Sequence, residues 1–282
     1  MSEDSYHIYV DAKKQPFSMN LREIWAYRDL IWLFTKRTFK LIYKQTVLGP
    51  LWIILSPLFT SIVYTVIFGK IAELSTDGIP QFLFYMTGNA LWSFFGGSLS
   101  QTSVAFISNA HVYSKVYFPR LTIPISNVIS SAIQLLIHMV LIVCLIVFYT
   151  AKGMLHPNLA YLPALIPVLL FTAVLSFGIG TMVSSLTTKY RDLNFLVGFG
   201  LRLWMYASPV IYPVTQVGNG VLRNALLWNP MTAPMEMFRF VLLGAGTVRW
   251  QSVLSTVLFA SAALVLGIML FRRAEKTFVD TI

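Results

Sequence analysis

The chain has 282 residues, of which 56% are hydrophobic and only 11% are charged, and its formal net charge is +10. Soluble domains carry about 25% charged residues, so this composition argues against a water-soluble fold and predicts one integral membrane domain. The basic excess is accordingly interpreted as membrane topology, and no nucleic-acid partner is expected.

The chain begins with a polar tail, residues 1–20, which lacks the charge and hydrophobicity order of a cleavable signal peptide. We therefore expect the first span to direct insertion. Residues 21–44 follow with helical periodicity, two tryptophans and a basic face, a pattern typical of an amphipathic helix at the cytoplasmic headgroups. This helix is either a topological anchor or a collar for an anionic lipid headgroup or a cytoplasmic partner. Its basic candidates are Lys36, Arg37, Lys40 and Lys44.

Six charge-poor windows are long enough to cross a bilayer, which requires about 20 apolar residues in a helix. They lie within 45–69, 78–110, 121–151, 153–188, 193–212 and 250–271. The prediction is an all-α integral membrane protein with six transmembrane helices in one domain, 45–271, followed by a short tail, 272–282. With both ends in the cytoplasm, most of the basic residues lie inside, as the positive-inside rule requires.

Small residues and prolines within the spans predict how the helices pack. Ser176, Gly180 and Ser184 are spaced four residues apart, which allows close contact between helices. Prolines such as Pro57 remove backbone hydrogen bonds that neighbouring groups must replace, so we expect kinks there.

The segment between the second and third spans predicts a short cytoplasmic helix over residues 108–117, ended by Pro119. Val112, Val116 and Phe118 make this segment too apolar for a freely solvated loop. Those side chains need a protein surface to cover them. The alternative is an ordinary loop.

The fifth span contains one charge, Arg202, about 15 Å into the membrane if the helix rises 1.5 Å per residue from Asp192. An arginine at that depth is costly, so it should face water or protein. Phe195, Phe199 and Tyr206 share its helical stripe and should turn inward with it. The alternative is a structural pair within the bundle or across a dimer seam.

A further apolar stretch, residues 222–243, is unlike a simple span because it carries Pro230, Pro234, Glu236 and Arg239. Two prolines and two charges predict a broken, re-entrant or interfacial pair of short helices before the sixth span. Glu236 and Arg239 are spaced to form an ion pair on one helix. Charge reversal at both positions should then restore the function that is lost when one charge is reversed. The alternative is two separately solvated charges.

Several kinds of site are not expected in this chain. Its single cysteine, Cys144, and its four scattered histidines show no metal-ligand spacing, and no carboxylates are grouped with a nucleophile or base. No GxxxxGK[ST] phosphate loop occurs, so no ATP site of its own is predicted. An enzyme acting on polyprenyl-phosphate sugars is disfavoured because no acidic or histidine residues are grouped at one membrane face. A proton- or sodium-driven carrier is disfavoured because it needs ionisable residues at mid-depth in several helices, and only Arg202 qualifies.

Five stretches in a fixed order carry a family resemblance: YKQTVLGPLW, KVYFPR, KYRDLN, SPVIYP and NPMTAPMEMFR. Together they resemble the type-2 ABC transporter permeases that export O-antigen, capsule or teichoic acid. The resemblance runs from about residue 21 to the end of the chain.

The resemblance implies a homodimer in the bacterial inner membrane that exports a polyprenyl-linked glycan. It implies a polymer channel lined by the first and fifth spans, for which Trp52 and Phe59 are candidates in the first. Asn229, Pro230, Glu236 and Arg239 would belong to extracytoplasmic gate helices. A separate nucleotide-binding subunit, holding ATP and magnesium, would make a two-plus-two complex. Its coupling contact would involve Asn109, Lys115, Val116, Phe118, Pro119 and Arg120. A type-2 permease for a drug or small lipid remains the alternative.

Overall fold

The computed structural model describes residues 21–279 apart from 45, 114, 116, 117, 158 and 191. The described part is helical and contains no strand. The predicted tail 1–20 and the coupling candidate Val116 lie outside the described residues. The helices are α1 (Leu21–Ala26), α2 (Arg28–Tyr43), α3 (Trp52–Tyr64), α4 (Gln81–Ser103), α5 (Ala105–Ser108), α6 (Ala110–Tyr113), α7 (Thr122–Ala151), α8 (Leu165–Thr187), α9 (Leu193–Tyr206), α10 (Val221–Trp228), α11 (Thr232–Leu243) and α12 (Trp250–Val279).

Four helical segments of the described chain are long and apolar enough to cross a membrane: Gly49–Ile71, Thr122–Ala151, Ala160–Thr187 and Trp250–Glu275. The first contains α3, with a 3-10 turn before it and a π-helical turn, Thr65–Ile71, after it. The four correspond to the predicted first, third, fourth and sixth spans. The other two predicted spans differ: α4 has 23 residues but is less apolar, and α9 has only 14 residues, about 21 Å of helix.

Helix α4 lies in the middle of the bundle. It packs against α3, α7, α8, α9 and α11, and its residues from Leu83 to Trp92 are all buried. A helix covered by protein along most of its surface needs no continuous lipid-facing apolar stripe. This position explains why α4 is long but carries buried polar side chains such as Thr87 and Asn89.

Helix α8 is held between α4 and α12 by small residues. A Cβ atom placed on Gly180 would lie 2.7 Å from the Thr102 Cβ of α4, and one on Gly178 would lie 2.5 Å from the Ala263 carbonyl carbon of α12. Ser176 and Ser184 are buried on the same helix. The close packing predicted from the spacing of Ser176, Gly180 and Ser184 is therefore confirmed.

The first and last helices meet at one end of the bundle, here called the α2 end. Phe106 of α5 stacks on Phe271 of α12 at 4.3 Å, and Phe34 of α2 lies in the same buried cluster. Thr187, the last residue of α8, donates a hydrogen bond to the Ser103 carbonyl at the end of α4. Helices α10 and α11 lie at the opposite end, the α10 end.

Candidate functional site

Helix α9 is attached to the bundle by one face only. Trp204 packs against Phe95 of α4 at 5.1 Å between ring centroids, and Val197 and Leu201 are half-buried beside the core. The predicted stripe lies away from that contact: the Phe195 side chain is 82% exposed, and Phe199 and Tyr206 are exposed as well. The stripe therefore points away from the bundle of its own chain.

Arg202 is exposed within this stripe and makes no hydrogen bond or ion pair with any residue that the structure describes. The described residues thus offer Arg202 no structural pair within its own bundle. A pair across a dimer seam stays untested. Leu196 and Leu203 are also exposed, because α9 contacts its neighbours over so narrow a face. Exposure in the single chain therefore does not distinguish the stripe from these two leucines.

The channel candidates of α3, Trp52 and Phe59, lie two helical turns apart and are both exposed. The opposite face of α3 carries Ile53, Pro57 and Ser61, which are buried against the bundle. Near the α10 end α3 approaches α9, where the Tyr64 hydroxyl lies 3.5 Å from the Met205 sulfur. The two exposed aromatic faces thus belong to helices that contact each other.

A cleft of about 1080 Å³ opens between α8, α9, α10 and α12. Its walls are mostly apolar, with Ile179 of α8 among them, and no Lys, Arg, Asp or Glu of the described chain lines it. Tyr206 of the stripe lines this cleft, together with Trp204 and Phe259. The exposed face of α9 is therefore continuous with an apolar space beside α10.

Asn229, between α10 and α11, is a hydrogen-bonding centre at the α10 end. Its amide nitrogen donates to the Ala207 carbonyl at 2.8 Å and to the Ser208 hydroxyl at 2.9 Å. Its carbonyl oxygen accepts from the Trp204 indole at 3.1 Å and from the Met231 amide at 3.0 Å. The side chain therefore fastens the end of α9 to the turn between α10 and α11. The neighbouring Pro230 carbonyl accepts a bond from Thr256 of α12 at 2.7 Å.

Glu236 and Arg239 form the predicted ion pair, with 3.6 Å between the Arg239 Nη1 and Glu236 Oε1 atoms. Both side chains are buried, so the alternative of two separately solvated charges is wrong. The other Glu236 oxygen accepts a bond from the Thr247 amide at 2.8 Å. The pair thus joins α11 to the segment that precedes α12.

Arg239 also binds the segment that follows α9. Its two terminal nitrogens donate to the Pro209 and Val210 carbonyls, each at 2.6 Å, and its guanidinium lies 3.8 Å from the centre of the Phe84 ring. These bonds have a fixed direction, because carbonyl oxygens only accept. Reversing both charges of the pair would point a carboxylate at two carbonyls, so the expected rescue by double reversal no longer follows. The gate role of these residues stays a prediction.

The segment between α4 and α7 differs from the predicted helix over 108–117. Two short helices, α5 and α6, are separated at Asn109, whose side chain donates to the Ala105 carbonyl at 3.1 Å. Phe118 is only 4% exposed and stacks between Tyr113 and Phe34. The prediction that a protein surface covers Phe118 is therefore confirmed, and that surface belongs to the chain itself.

Arg120 ties the same segment to the end of α12. Its guanidinium lies 3.7 Å from the Glu275 carboxylate and donates to the Glu275 carbonyl at 2.9 Å. Tyr113 beside it is buried, and burial raises the pKa of its phenol.

Pro119 is half-buried, whereas Ser108, His111 and Lys115 remain exposed. The exposed part of the segment therefore consists of these three residues among those that the structure describes.

The predicted amphipathic helix is broken at Tyr27 into α1 and α2. Phe34 and Thr35 are buried against the bundle, while Lys36, Lys40 and Lys44 are exposed and Arg37 is half-buried. Trp25 and Trp32 are exposed as well, and the Lys36 amine lies 5.4 Å from the Trp32 ring centre. One face of α2 thus packs on the bundle, while the face that carries Lys36 and Lys40 is exposed. Its role as a collar or a docking site stays a prediction.

Sequence reasoning missed the groups that hold the predicted residues in place. Gly88 of α4 lies directly beneath Arg239: a Cβ atom there would be 2.6 Å from the Val210 carbonyl oxygen and 2.7 Å from Arg239 Nη2. Thr247 and Trp204 were missed in the same way. A glycine inside a helix of bulky residues is the one local signal that pointed to such a close approach.

Comparisons with known proteins all match this chain to membrane transporters. The profile of a family described as ABC-2 type transporter matches residues 29–243. Two proteins from Klebsiella pneumoniae, each named O-antigen export system permease protein RfbA, are 26% and 28% identical over 253 and 254 residues. Each alignment covers 89% of this chain and 94% of the relative. A protein of the same name from Myxococcus xanthus is 28% identical over 222 residues, covering 78% of this chain and 83% of the relative.

Proposed function

The chain belongs to the ABC-2 type transporter family, and from that premise we propose that it is the permease subunit of an ATP-driven exporter of a polyprenyl-linked polysaccharide. The names of the relatives, which are O-antigen export permeases, support a polysaccharide over a drug or small lipid. The membrane to be crossed is the bacterial cytoplasmic membrane.

The observation that carries this proposal is the exposed stripe of α9. Arg202 has no partner within the described chain, and an arginine at the centre of a span costs roughly 2.5–3.5 kcal/mol on insertion scales. Lipid is therefore a poor environment for this face, and water, a glycan or a second copy of the chain is a better one. Aromatic rings beside a guanidinium offer stacking and hydrogen bonding to sugars.

A homodimer with its channel between the protomers accounts for this arrangement. The stripe of α9 and the exposed Trp52 and Phe59 of α3 would face the channel, while the opposite faces of both helices hold each protomer together. The α10–α11 pair would form the extracytoplasmic gate, with Asn229, Pro230, Glu236 and Arg239 as its fixed base.

Six spans are proposed for the membrane domain, 45–271: α3, α4, α7, α8, α9 and α12. Support comes from the contacts at the α2 end, which bring α2 and the end of α12 together, as an even number of crossings requires. Basic residues at this end, such as Lys36, Lys40 and Arg272, favour the cytoplasm. Residues 21–44 would then lie at the cytoplasmic headgroups, and 272–282 would form a cytoplasmic tail.

Cysteine accessibility tests the channel. In a Cys144→Ser background, Phe195→Cys, Phe199→Cys and Tyr206→Cys should react with a water-soluble thiol reagent during export. Leu201→Cys, which packs toward the core, is the matched control and should stay unreactive. Leu196→Cys and Leu203→Cys should react with a lipid-soluble reagent instead. No reaction at the stripe, or equal reaction at Leu201→Cys, would remove this face from the channel.

A separate nucleotide-binding subunit is proposed as the energy source, holding ATP and magnesium in a two-plus-two complex. The exposed Ser108 and Lys115 are the residues offered to it, while Asn109, Phe118 and Arg120 hold the segment in shape. Ser108→Arg with Lys115→Glu should reduce co-purification of the ATPase. Lys189→Glu, an exposed lysine at the same end, is the control. Undiminished co-purification would contradict this docking surface.

A further inference from the structure

Pro57 interrupts the hydrogen bonding of α3 at its sixth residue. A proline has no backbone N–H, so the carbonyl four residues earlier, that of Ile53, loses its helical donor. Pro57 and Ile53 both lie on the buried face of α3. An unpaired carbonyl is costly where no water is available, and membrane helices tolerate proline when a neighbouring group replaces the bond.

His138 of α7 provides that bond. Its Nε2 atom lies 3.0 Å from the Ile53 carbonyl oxygen, and the His138 side chain is only 7% exposed. A carbonyl oxygen can only accept, so Nε2 carries the hydrogen. We propose that His138 is a positioning residue, which supplies from α7 the donor that Pro57 removes from α3 and thereby holds α3 at a fixed bend.

Two other prolines show the same arrangement. The carbonyl four residues before Pro234 is that of Pro230, which accepts from Thr256 of α12 at 2.7 Å. The carbonyl four residues before Pro124 is that of Arg120, which accepts from the Tyr113 hydroxyl at 3.2 Å as well as from the Ile123 amide at 3.4 Å. Both of these carbonyls precede their helices, whereas the Ile53 carbonyl lies inside α3. His138 therefore replaces a bond that belongs to the helix itself.

The angle that α3 takes at Pro57 matters for the exposed face of the helix. Trp52 and Phe59 lie on either side of Pro57 along the helix, so a change of bend moves one relative to the other. This consequence for export rests on the proposed function, whereas the hydrogen bond does not. Stability measurements and export measurements therefore test the two separately.

A double-mutant cycle tests the bond in the purified full-length chain. His138→Leu removes the donor and should lower the Tm by about 3 °C or more, since a buried carbonyl is left unpaired. His138→Gln keeps an N–H donor and should retain most of the Tm. In a Pro57→Ala background, Ala supplies its own N–H to Ile53, so His138→Leu should then cost less than half as much.

Leu135→Ala is the matched control, because Leu135 is buried one turn earlier on α7 and should cost the same in both backgrounds. Equal cost of His138→Leu with and without Pro57 would overturn the proposal. The proposal is also overturned if the Tm of His138→Gln is no higher than that of His138→Leu. This comparison stands even if Pro57→Ala fails to fold. Export by His138→Gln should exceed export by His138→Leu. If the stability cycle holds and export is unchanged, the bond is real and the channel role of α3 is wrong.

Discussion

Two arginines in the apolar part of this chain have opposite surroundings. Arg239 is buried at the α10 end and binds two carbonyls, a carboxylate and the face of Phe84. Arg202 is exposed in the middle of α9 and contacts no polar partner among the described residues. The first charge is neutralised inside the chain. No described residue neutralises the second, so under the proposed function the α10 end is a fixed structure and the α9 face is a surface for a partner or substrate.

The largest expected effect is at Arg239. Arg239→Leu leaves the Glu236 carboxylate buried and unpaired, and it should lower the free energy of unfolding by about 3–5 kcal/mol. Thermal unfolding of the purified chain in detergent measures this. Arg239→Lys should fall between Arg239→Leu and the unchanged chain, because a lysine cannot bind both carbonyls in the planar geometry of a guanidinium.

The exchanged pair, Glu236→Arg with Arg239→Glu, separates the effect of the two charges from the effect of the carbonyl hydrogen bonds. It keeps both charges but opposes a carboxylate to the Pro209 and Val210 carbonyls, so its stability should be no better than that of Arg239→Leu. Recovery of wild-type stability in the exchanged pair would show that the charges alone matter and that the carbonyl bonds do not.

A smaller effect is expected at Gly88. Gly88→Ala places a methyl group against the Val210 carbonyl and the Arg239 guanidinium, and overpacking of this kind costs about 1–3 kcal/mol. Gly96→Ala in the same helix is the matched control, since its nearest neighbour would be 3.9 Å away. Equal unfolding temperatures for the two variants would contradict the close approach at Gly88.

The smallest effect on stability is expected at Arg202. Arg202→Gln breaks no hydrogen bond or ion pair in the described chain, so the free energy of unfolding should change by less than about 0.5 kcal/mol. Export should nevertheless fall at least several-fold, measured as lipid-linked glycan transported into proteoliposomes. Arg202→Lys should retain more export than Arg202→Gln. A large loss of stability with Arg202→Gln would mean that this arginine is structural, like Arg239.

Local pattern predicted much of the fold. Four spans, the two-faced helix before them and the break of 222–243 into α10 and α11 follow from apolar length, helical period and proline position. The Glu236–Arg239 pair followed from spacing on one helix. The helix over 108–117 was predicted wrongly, because Asn109 turns its side chain to the backbone and Phe118 packs on α2, which is distant in sequence.

The sequence by itself determined that the chain lies in a membrane and where its long apolar helices run, because hydrophobicity and helical period are local properties. Only the tertiary structure decided which groups meet: the carbonyls beneath Arg239, the glycine beside it and the histidine that replaces the bond lost at Pro57. These partners lie tens of residues apart along the chain and come together only through packing. The same is true of the outward stripe of α9, since its orientation depends on which narrow face contacts α4.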